Sequence, residues 1–159
     1  MDSASDLLIK TVYDELFGKV LDVGCGYGVI GITVATNHKV ERVKMLDVNH
    51  RALALAKKNA EKNQVDSKVE IIESDGFESI SDEEKFDAIV TNPPIRAGKS
   101  VIYQMYEDSQ KHLNEGGSLY LVINKKHGAP STITFLNNLF GNCEILNKKS
   151  GFHVLKCTR

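Results

Sequence analysis

The feature that most constrains the fold is a regular alternation of apolar, strand-like runs with helical segments along nearly the whole chain. In the helical segments, apolar residues recur at a spacing of three or four, and the strand-like runs are continuously apolar. The runs are KVLDV, RVKMLDV, KVEII, FDAIV and SLYLVI. Continuous apolar strands that alternate with helices form parallel sheets covered on both faces, so we predict a doubly wound α/β fold.

Capping residues and glycines give the expected limits of the helices. Ser3 or Ser5 is expected to cap the first helix and Asn49 the third, and Gly116-Gly117 is expected to stop the fourth. The predicted helices cover residues 3–17, the segment from the glycine cluster to about Thr36, and residues 49–63, 100–113 and 131–140. The end, CEILNKKSGFHVLKC, predicts an antiparallel hairpin around Ser150-Gly151.

Composition is that of one ordinary globular domain over residues 1–159, with 42% hydrophobic and 26% charged residues. No apolar run is long enough to span a membrane, and the first residues lack the pattern of a signal peptide. Cys25, Cys143 and Cys157 are odd in number and widely spaced, which argues against disulfides or zinc. This use of cysteine fits a reducing cytosol, so we expect a cytoplasmic location. The histidines are equally scattered, so we expect no metal.

Charge is distributed unevenly along the chain. Residues 1–91 contain 11 basic and 17 acidic side chains, whereas residues 92–159 contain 9 basic and 4 acidic ones. The net charges are therefore −6 and +5. The asymmetry is either ordinary solvated surface charge or a sign that the second half meets an anionic partner.

The glycine-rich segment LDVGCGYGVIG lies where the first strand turns into a helix. Glycines at such a turn let the backbone approach a ligand and leave helix N–H groups directed at it. The pattern is Asp22-x-Gly24-x-Gly26-x-Gly28, which differs from the dinucleotide motif and disfavours a nicotinamide-dependent dehydrogenase. A carboxylate beside the loop would repel phosphates but suits an amine or a sulfonium.

Two further acids follow strands. Asp47 ends the second strand, where an acid in a doubly wound fold can accept hydrogen bonds from ribose hydroxyls. Asp75 follows the third strand, where it could accept a hydrogen bond from an adenine amino group. Each acid alone is equally well explained as a helix cap or a turn residue. Together with Asp22 they are expected to converge on one crevice at the carboxyl edge of the sheet.

With these motifs in this order, the chain resembles the class I S-adenosylmethionine-dependent methyltransferases. LDVGCGYG, MLDVN, SDG and NPPI carry the resemblance, which extends over essentially the whole chain. It implies a seven-stranded sheet of order 3-2-1-4-5-7-6 with strand 7 antiparallel and helices on both faces. It also implies S-adenosylmethionine as cofactor, with the methionine part near Gly24 and Gly26 and the amino group near Asp22. The implied cofactor-binding residues are Asp22, Gly24, Cys25, Gly26, Asp47, Val48, Asp75 and Gly76.

The fourth strand ends in the corner Asn92-Pro93-Pro94. In the expected strand order this corner faces the glycine loop across the crevice. Each proline fixes its own φ and biases its predecessor away from helix, so the Asn92 side-chain oxygen and the Pro93 carbonyl become two fixed acceptors. Two acceptors suit an NH₂ group on an sp² carbon, and we predict that Asn92, Pro93 and Pro94 orient such a group toward the methyl donor. This mechanism requires neither a nucleophilic residue nor a metal.

The longer string NPPIRAGK, with GGSLYLVINKKHGAPS downstream, most resembles the small-subunit ribosomal RNA guanine-N2 methyltransferases and their single-domain relatives. Ile95 stands where many amino-methylating relatives carry an aromatic residue, so it would cover a ring by apolar contact. RNA phosphates would meet cations that follow the fourth and fifth strands. The expected substrate-binding residues are Ile95, Arg96, Lys99, Lys125 and Lys126.

The favoured function is N-methylation of an exocyclic amine of RNA, with guanine N2 of ribosomal RNA preferred, and the expected partner is RNA or the small ribosomal subunit. Two alternatives remain open: methylation of a glutamine amide in a protein, and a non-catalytic member of the fold that binds cofactor or RNA. Tyr27, Phe77 and Tyr103 are interpreted as packing residues. The chain begins almost at its first helix, so a form shortened at the amino terminus is a further interpretation.

Overall fold

The computed structural model describes residues 2–159, which form a seven-stranded sheet between two layers of helices. The strand order is β3-β2-β1-β4-β5-β7-β6, with β7 antiparallel to both of its neighbours. The strands are β1 Gly18–Val23, β2 Val40–Asp47, β3 Val69–Glu73, β4 Phe86–Thr91, β5 Leu113–Asn124, β6 Glu144–Lys149 and β7 Phe152–Thr158. The predicted fold and strand order are confirmed.

Five α-helices connect or flank the strands. They are α1 Ser3–Val12, α2 Val29–Ala35, α3 His50–Lys62, α4 Lys99–Lys111 and α5 Ala129–Phe140. Short 3₁₀ turns follow α1, β4 and β5 at Tyr13–Glu15, Ile95–Ala97 and Lys125–His127. None of the helices within residues 2–159 is long and apolar enough to cross a membrane.

Two apolar clusters, one on each face of the sheet, form the core. Helices α1, α2 and α3 pack on one face, where Leu8 and Met45 are fully buried. Helices α4 and α5 pack on the other, where Phe86 and Tyr106 are fully buried. Strands sandwiched in this way are apolar on both sides, which explains their continuous apolar runs.

The first helix is capped differently from the prediction. Asp2, rather than Ser3 or Ser5, is the N-cap, and its Oδ1 accepts a hydrogen bond of 2.8 Å from the Ser5 backbone N–H. Aspartate fulfils this role as well as serine does. Because Asp2 caps the helix, the Ser5 side chain is available for a different contact. It lies in the first turn of α1 and is only 5% exposed. Asn49 caps α3 as predicted, with Oδ1 3.0 Å from the Ala52 N–H.

The fifth strand is longer than the apolar run SLYLVI. It begins at Leu113, which pairs with Phe86 at the start of β4, and the pairing is irregular before Ser118 pairs with Ala88. The helix before it ends at Lys111, so Gly116-Gly117 lies inside an irregular strand instead of stopping the helix. The long-range pairing of Phe86 with Leu113, both fully buried, accounts for the difference. The closing hairpin forms as predicted, with Ser150 and Gly151 both at positive φ.

The register between β1 and β4 positions the site. Asp22 pairs with Val90 in parallel, and the Thr91 hydroxyl donates a hydrogen bond of 2.9 Å to the Val23 carbonyl. Strand β1 ends at Val23 and β4 at Thr91, so the glycine loop and the corner begin at the ends of two neighbouring strands. The glycine loop and the Asn-Pro-Pro corner therefore leave the sheet side by side, as predicted.

Candidate active site

A cavity of about 840 Å³ opens at the carboxyl edge of the sheet. Its wall is formed by the ends of β1 to β3, the corner after β4, and one side of α4. The lining residues that the sequence predicted are Gly24, Asp47, Val48, Asp75, Gly76 and Pro94. The volume is in the range of pockets that bind small molecules and cofactors.

Gly24 and Gly26 form an open cradle on the β1 side. Both have positive φ, +73° and +54°, which favours glycine over other residues. A Cβ added at either position would meet no atom within 4 Å, so it would project into open space. The two glycines therefore leave room for a ligand to approach the backbone closely.

Asp47 joins the loops after β1 and β2. Its Oδ2 accepts a hydrogen bond of 2.8 Å from the Gly26 N–H, and its Oδ1 accepts one of 2.9 Å from the Asn49 N–H. A carboxylate offers about four lone-pair sites, so two acceptor positions remain for a diol. The Asp47 carboxylate thus orders the glycine loop and still faces the cavity.

Asp22 lies beneath the glycine loop, fully buried, and does not line the cavity. Its Oδ2 accepts a hydrogen bond of 2.9 Å from the Gly31 N–H of α2, so this helix N–H is not available to a ligand. Its Oδ1 is buried and has no hydrogen-bond partner within residues 2–159. Burial, reinforced by the Asp47 charge and opposed by the Gly31 hydrogen bond, raises the pKa of Asp22 to about 7. An unpaired, buried acceptor of this kind favours a cationic or donating ligand nearby.

The turn after β3 presents Asp75 to the cavity. Ser74 fixes the turn, because its hydroxyl donates a hydrogen bond of 2.7 Å to the Gly76 carbonyl and accepts one of 3.0 Å from the Ser79 N–H. Asp75 itself is exposed. Val48, which is 55% exposed, adds an apolar surface next to Asp47. This combination of a carboxylate and an apolar side chain suits the edge and the face of a base.

The residues of the glycine loop, its acids and the cavity therefore fit S-adenosylmethionine. The open cradle provides space, the unpaired Asp22 oxygen suits an amine, and the Asp47 carboxylate suits a ribose. Cys25 contributes no reactive group. Burial and then the charges of Asp22 and Asp47 raise the pKa of its thiol, so it remains protonated.

The Asn-Pro-Pro corner presents its acceptors without internal partners. Within residues 2–159, neither the Asn92 Oδ1 atom nor the Pro93 carbonyl accepts a hydrogen bond, whereas the Pro94 carbonyl accepts one of 2.8 Å from Ala97. Pro93 is buried and Pro94 is exposed toward the cavity. Asn92, which is half-buried, does not itself line the cavity.

One contact of the site, between Ser5 and Asn92, follows from no sequence motif. The Asn92 Nδ2 atom donates a hydrogen bond of 3.2 Å to the Ser5 hydroxyl, across 87 residues of sequence. Because the amide nitrogen is held in this way, the amide oxygen is directed away from α1. No local pattern could have identified Ser5, since its role depends on how α1 crosses the sheet.

A second cavity of about 260 Å³ lies beyond the corner, between α4 and α5. Ile95, 36% exposed, lines it together with Lys99, while the preceding Pro94 lines the larger cavity. The corner thus separates the two cavities. Arg96, Lys125 and Lys126 are exposed on the same edge and line neither cavity.

The sequence also missed one side of the larger cavity. Residues of α4 and of the segment after β3 line it without any motif of their own: Phe77, Ile80, Val101, Gln104, Met105, Asp108 and His112. Phe77 is buried and stacks on His112 with ring centroids 5.3 Å apart, in agreement with its interpretation as a packing residue. Tyr103 likewise stacks on Phe135, at 3.9 Å. Tyr27, which was given the same interpretation, is 60% exposed, so that interpretation is wrong for Tyr27.

Comparison with known proteins agrees with this geometry. The chain is 43% identical over 160 residues to the protein YbxB of Bacillus subtilis, covering 100% of this chain and 79% of that protein. It is 35% identical over 158 residues to the ribosomal RNA small subunit methyltransferase C of Haemophilus influenzae, covering 97% of this chain and 46% of that protein. The chain therefore spans about half the length of the methyltransferase C relatives that it matches.

Among solved structures, a 16S rRNA N2-guanine methyltransferase of T. thermophilus in complex with AdoMet and guanosine superposes with a TM-score of 0.87. It is 27% identical in sequence, and the match covers 100% of this chain and 43% of that chain. The strand order and the loops at the carboxyl edge are those of the class I S-adenosylmethionine-dependent methyltransferases, so the predicted enzyme class is confirmed. A family model matches residues 1–156, and the chain belongs to that family, the methyltransferase small domain.

Proposed function

We propose that residues 1–159 form one methyltransferase domain that methylates an exocyclic amino group of RNA, with guanine N2 of ribosomal RNA as the preferred target. The single observation that carries this proposal is the Asn92 amide, whose nitrogen is held by Ser5 and whose oxygen is left without a partner within residues 2–159. The relatives named ribosomal RNA small subunit methyltransferase C, and the neighbour solved with guanosine, support the choice of substrate.

The amino group of the acceptor would donate one hydrogen bond to the Asn92 Oδ1 atom and one to the Pro93 carbonyl. Such a nitrogen is a weak nucleophile because its lone pair is delocalised into the ring. Holding both N–H bonds fixes the nitrogen near a tetrahedral geometry and aligns its lone pair. S-adenosylmethionine, when bound, supplies an activated methyl group on a sulfonium. The proton released by the acceptor nitrogen passes to water.

The residues around the larger cavity would hold the cofactor in the orientation that this step needs. We propose that Gly24 and Gly26 border the methionine part, with Asp22 near its amino group and Asp47 on the ribose. Asp75, Gly76 and Val48 would border the adenine. Gly24, Asp47, Asp75 and Pro94 line the larger cavity, which supports this direction of binding, and Asp22 is buried beneath the glycine loop beside it.

Ile95 would contact the acceptor base by apolar packing, since it lines the cavity on the far side of the corner. Arg96, Lys99, Lys125 and Lys126 would contact phosphates, which position a strand without reading its sequence. All four are exposed at the carboxyl edge, next to the corner.

Nucleoside mass spectrometry of ribosomal RNA, from cells with and without the protein, tests the substrate. We expect N2-methylguanosine at one or more positions to depend on the protein. Radiolabelled transfer to protein extract but not to RNA would favour the glutamine amide. Transfer to neither, with S-adenosylmethionine still bound, would favour a non-catalytic member of the fold.

The Asn92→Ala substitution tests the mechanism. Removing one positioned acceptor is expected to lower kcat by about 10²–10³, while calorimetry shows nearly unchanged binding of S-adenosylmethionine. Asn138→Ala, at an exposed position of α5, is the matched control and should retain full activity. An active Asn92→Ala variant would refute the proposed orientation of the amine.

A further inference from the structure

The strands β4 to β7 carry a group of cations at the carboxyl edge of the sheet. Two follow β4, two follow β5, and two lie at the tip of the β6–β7 hairpin. All six are exposed, and they are Arg96, Lys99, Lys125, Lys126, Lys148 and Lys149. The pair at the hairpin tip lies outside both cavities.

The hairpin tip, which we define as residues 148–151, is fixed beside the end of β5. The Lys125 N–H donates a hydrogen bond of 2.9 Å to the Gly151 carbonyl. Lys148 pairs with His153, which in turn pairs with Ile123 of β5. The tip is therefore a continuation of the edge formed by the residues after β5, and its lysines are held near Lys125.

His153 lies between these charges, because it pairs with Lys148 of β6 and with Ile123 of β5, two residues before Lys125. Burial, followed by the charges of Lys148 and Lys125, lowers the pKa of His153. The imidazole is thus neutral near pH 7, and the lysines carry the positive charge of this region. Two ammonium groups that act on one side chain repel each other, and an anion between them would relieve that repulsion.

No carboxylate neutralises these six cations within residues 2–159, where the ion pairs use other basic side chains. The nearest acid along this part of the chain, Glu144, begins β6 and pairs with Lys156 at the opposite end of the strand. Lysines along an edge strand also hinder pairing with other chains. That function does not require the tip lysines to be held beside a second basic pair after β5.

We propose that the hairpin tip binds phosphate groups of the RNA strand outside the acceptor nucleotide, through Lys148 and Lys149. This inference rests on the proposed function, since it needs an RNA substrate. Strand β6 lies three strands from β4, so the tip is roughly 14 Å from the Asn-Pro-Pro corner in the plane of the sheet. Contacts at this distance would fix the path of flanking nucleotides and leave the choice of base to the site itself.

The test is the salt dependence of RNA binding. Binding of a short, fluorescently labelled single-stranded RNA is measured from about 50 to 200 mM salt for the unsubstituted chain and for Lys148→Gln/Lys149→Gln. Each phosphate contact contributes about 0.7 to the slope of log K against log salt for single strands, so the double variant should lose about 1.4. Over this fourfold range of salt, the factor by which affinity falls should be about sevenfold smaller for the double variant than for the unsubstituted chain.

The matched control is Lys57→Gln/Lys58→Gln, which removes two exposed lysines from α3 on the acidic half of the molecule. It should leave the slope unchanged, and thermal unfolding should show that both double variants are folded. A full slope in the hairpin variant, or an equal loss in the α3 variant, would overturn the inference while leaving the methylation of RNA intact. If the unsubstituted chain neither binds nor methylates RNA, the proposed function fails and this inference fails with it.

Discussion

The Asp22→Asn substitution separates the charge of a buried carboxyl group from its shape. Asparagine retains an oxygen that can accept the Gly31 N–H, and it differs from aspartate mainly in having no proton to lose. Asp22 is fully buried and its Oδ1 atom is unpaired within residues 2–159. The charged form is therefore disfavoured in the folded protein, chiefly by desolvation.

The pKa of this group sets the expected magnitude. Its value rises from 3.8 to about 7 on folding, so the folded state binds the proton more tightly than the unfolded state. The stabilisation from this proton is fully present below about pH 4 and is lost as pH rises through about 7, at a total of about 4 kcal/mol. Between about pH 5 and pH 8 the loss is roughly 2.5 kcal/mol. The asparagine variant lacks this loss.

Urea unfolding at the two pH values measures the effect, with far-UV circular dichroism as the signal because the chain has no tryptophan. Without cofactor, the free energy of unfolding of Asp22→Asn relative to the unsubstituted chain should increase by roughly 2.5 kcal/mol from about pH 5 to pH 8. A difference that is the same at both pH values would refute the reasoning. Calorimetry gives a second result: weaker binding of S-adenosylmethionine by the variant is expected, and unchanged binding would contradict the role proposed for Asp22 near the amino group.

Four further substitutions test the glycine loop, its acid partner and the contact between α1 and Asn92. Gly28→Ala should lower the free energy of unfolding by about 2 kcal/mol, because alanine is strained at a φ of +96° and its Cβ would also lie 3.2 Å from the Ala56 Cβ atom. Gly24→Ala, whose Cβ meets no neighbour within 4 Å, should cost about 1 kcal/mol and mainly weaken cofactor binding; equal destabilisation in urea would contradict this contrast. Asp47→Ala should weaken S-adenosylmethionine binding in calorimetry by at least about tenfold, because the glycine loop and the ribose both lose an acceptor. Ser5→Ala should lower kcat about tenfold with unchanged cofactor affinity, and Ser5→Thr should restore it; a change in melting temperature alone would indicate a purely structural role.

The fold could be predicted largely because its determinants are local. Each parallel strand is a continuous apolar run, and each helix has apolar residues at helical spacing, so the element types follow from short windows. The structure differs from the sequence prediction where contacts between residues distant in sequence determine the local structure. Leu113 begins β5 because it pairs with Phe86, and this contact overrides the glycine pair at 116–117. The predicted cap of α1 was wrong because three polar residues that can cap a helix, Asp2, Ser3 and Ser5, lie within one turn.

The candidate site divides along the same line. Gly24, Asp47 and Asp75 follow their strands directly, so the sheet brings them to one cavity as soon as the strand order is known. Ser5 contacts Asn92 only because α1 crosses the sheet at this point, and the spacing of residues in the sequence does not predict how α1 crosses it. The position of the hairpin tip was equally hidden, because β7 returns antiparallel beside β5 and thereby carries the tip to the carboxyl edge.

The strand order also determines how the uneven charge of the sequence is distributed along the carboxyl edge of the sheet. Strands β1, β2 and β3 form one side of the sheet and β5, β7 and β6 the other, with β4 next to the boundary. A chain whose halves carry −6 and +5 would mix its charges if the strands interleaved, but in this order the acids collect around one cavity and the cations beyond it. The sulfonium cofactor and the proposed polyanionic substrate would then be attracted to opposite sides of the edge. The Asn-Pro-Pro corner lies where these two sides meet, so the cofactor and the substrate would be attracted to opposite sides of the same corner.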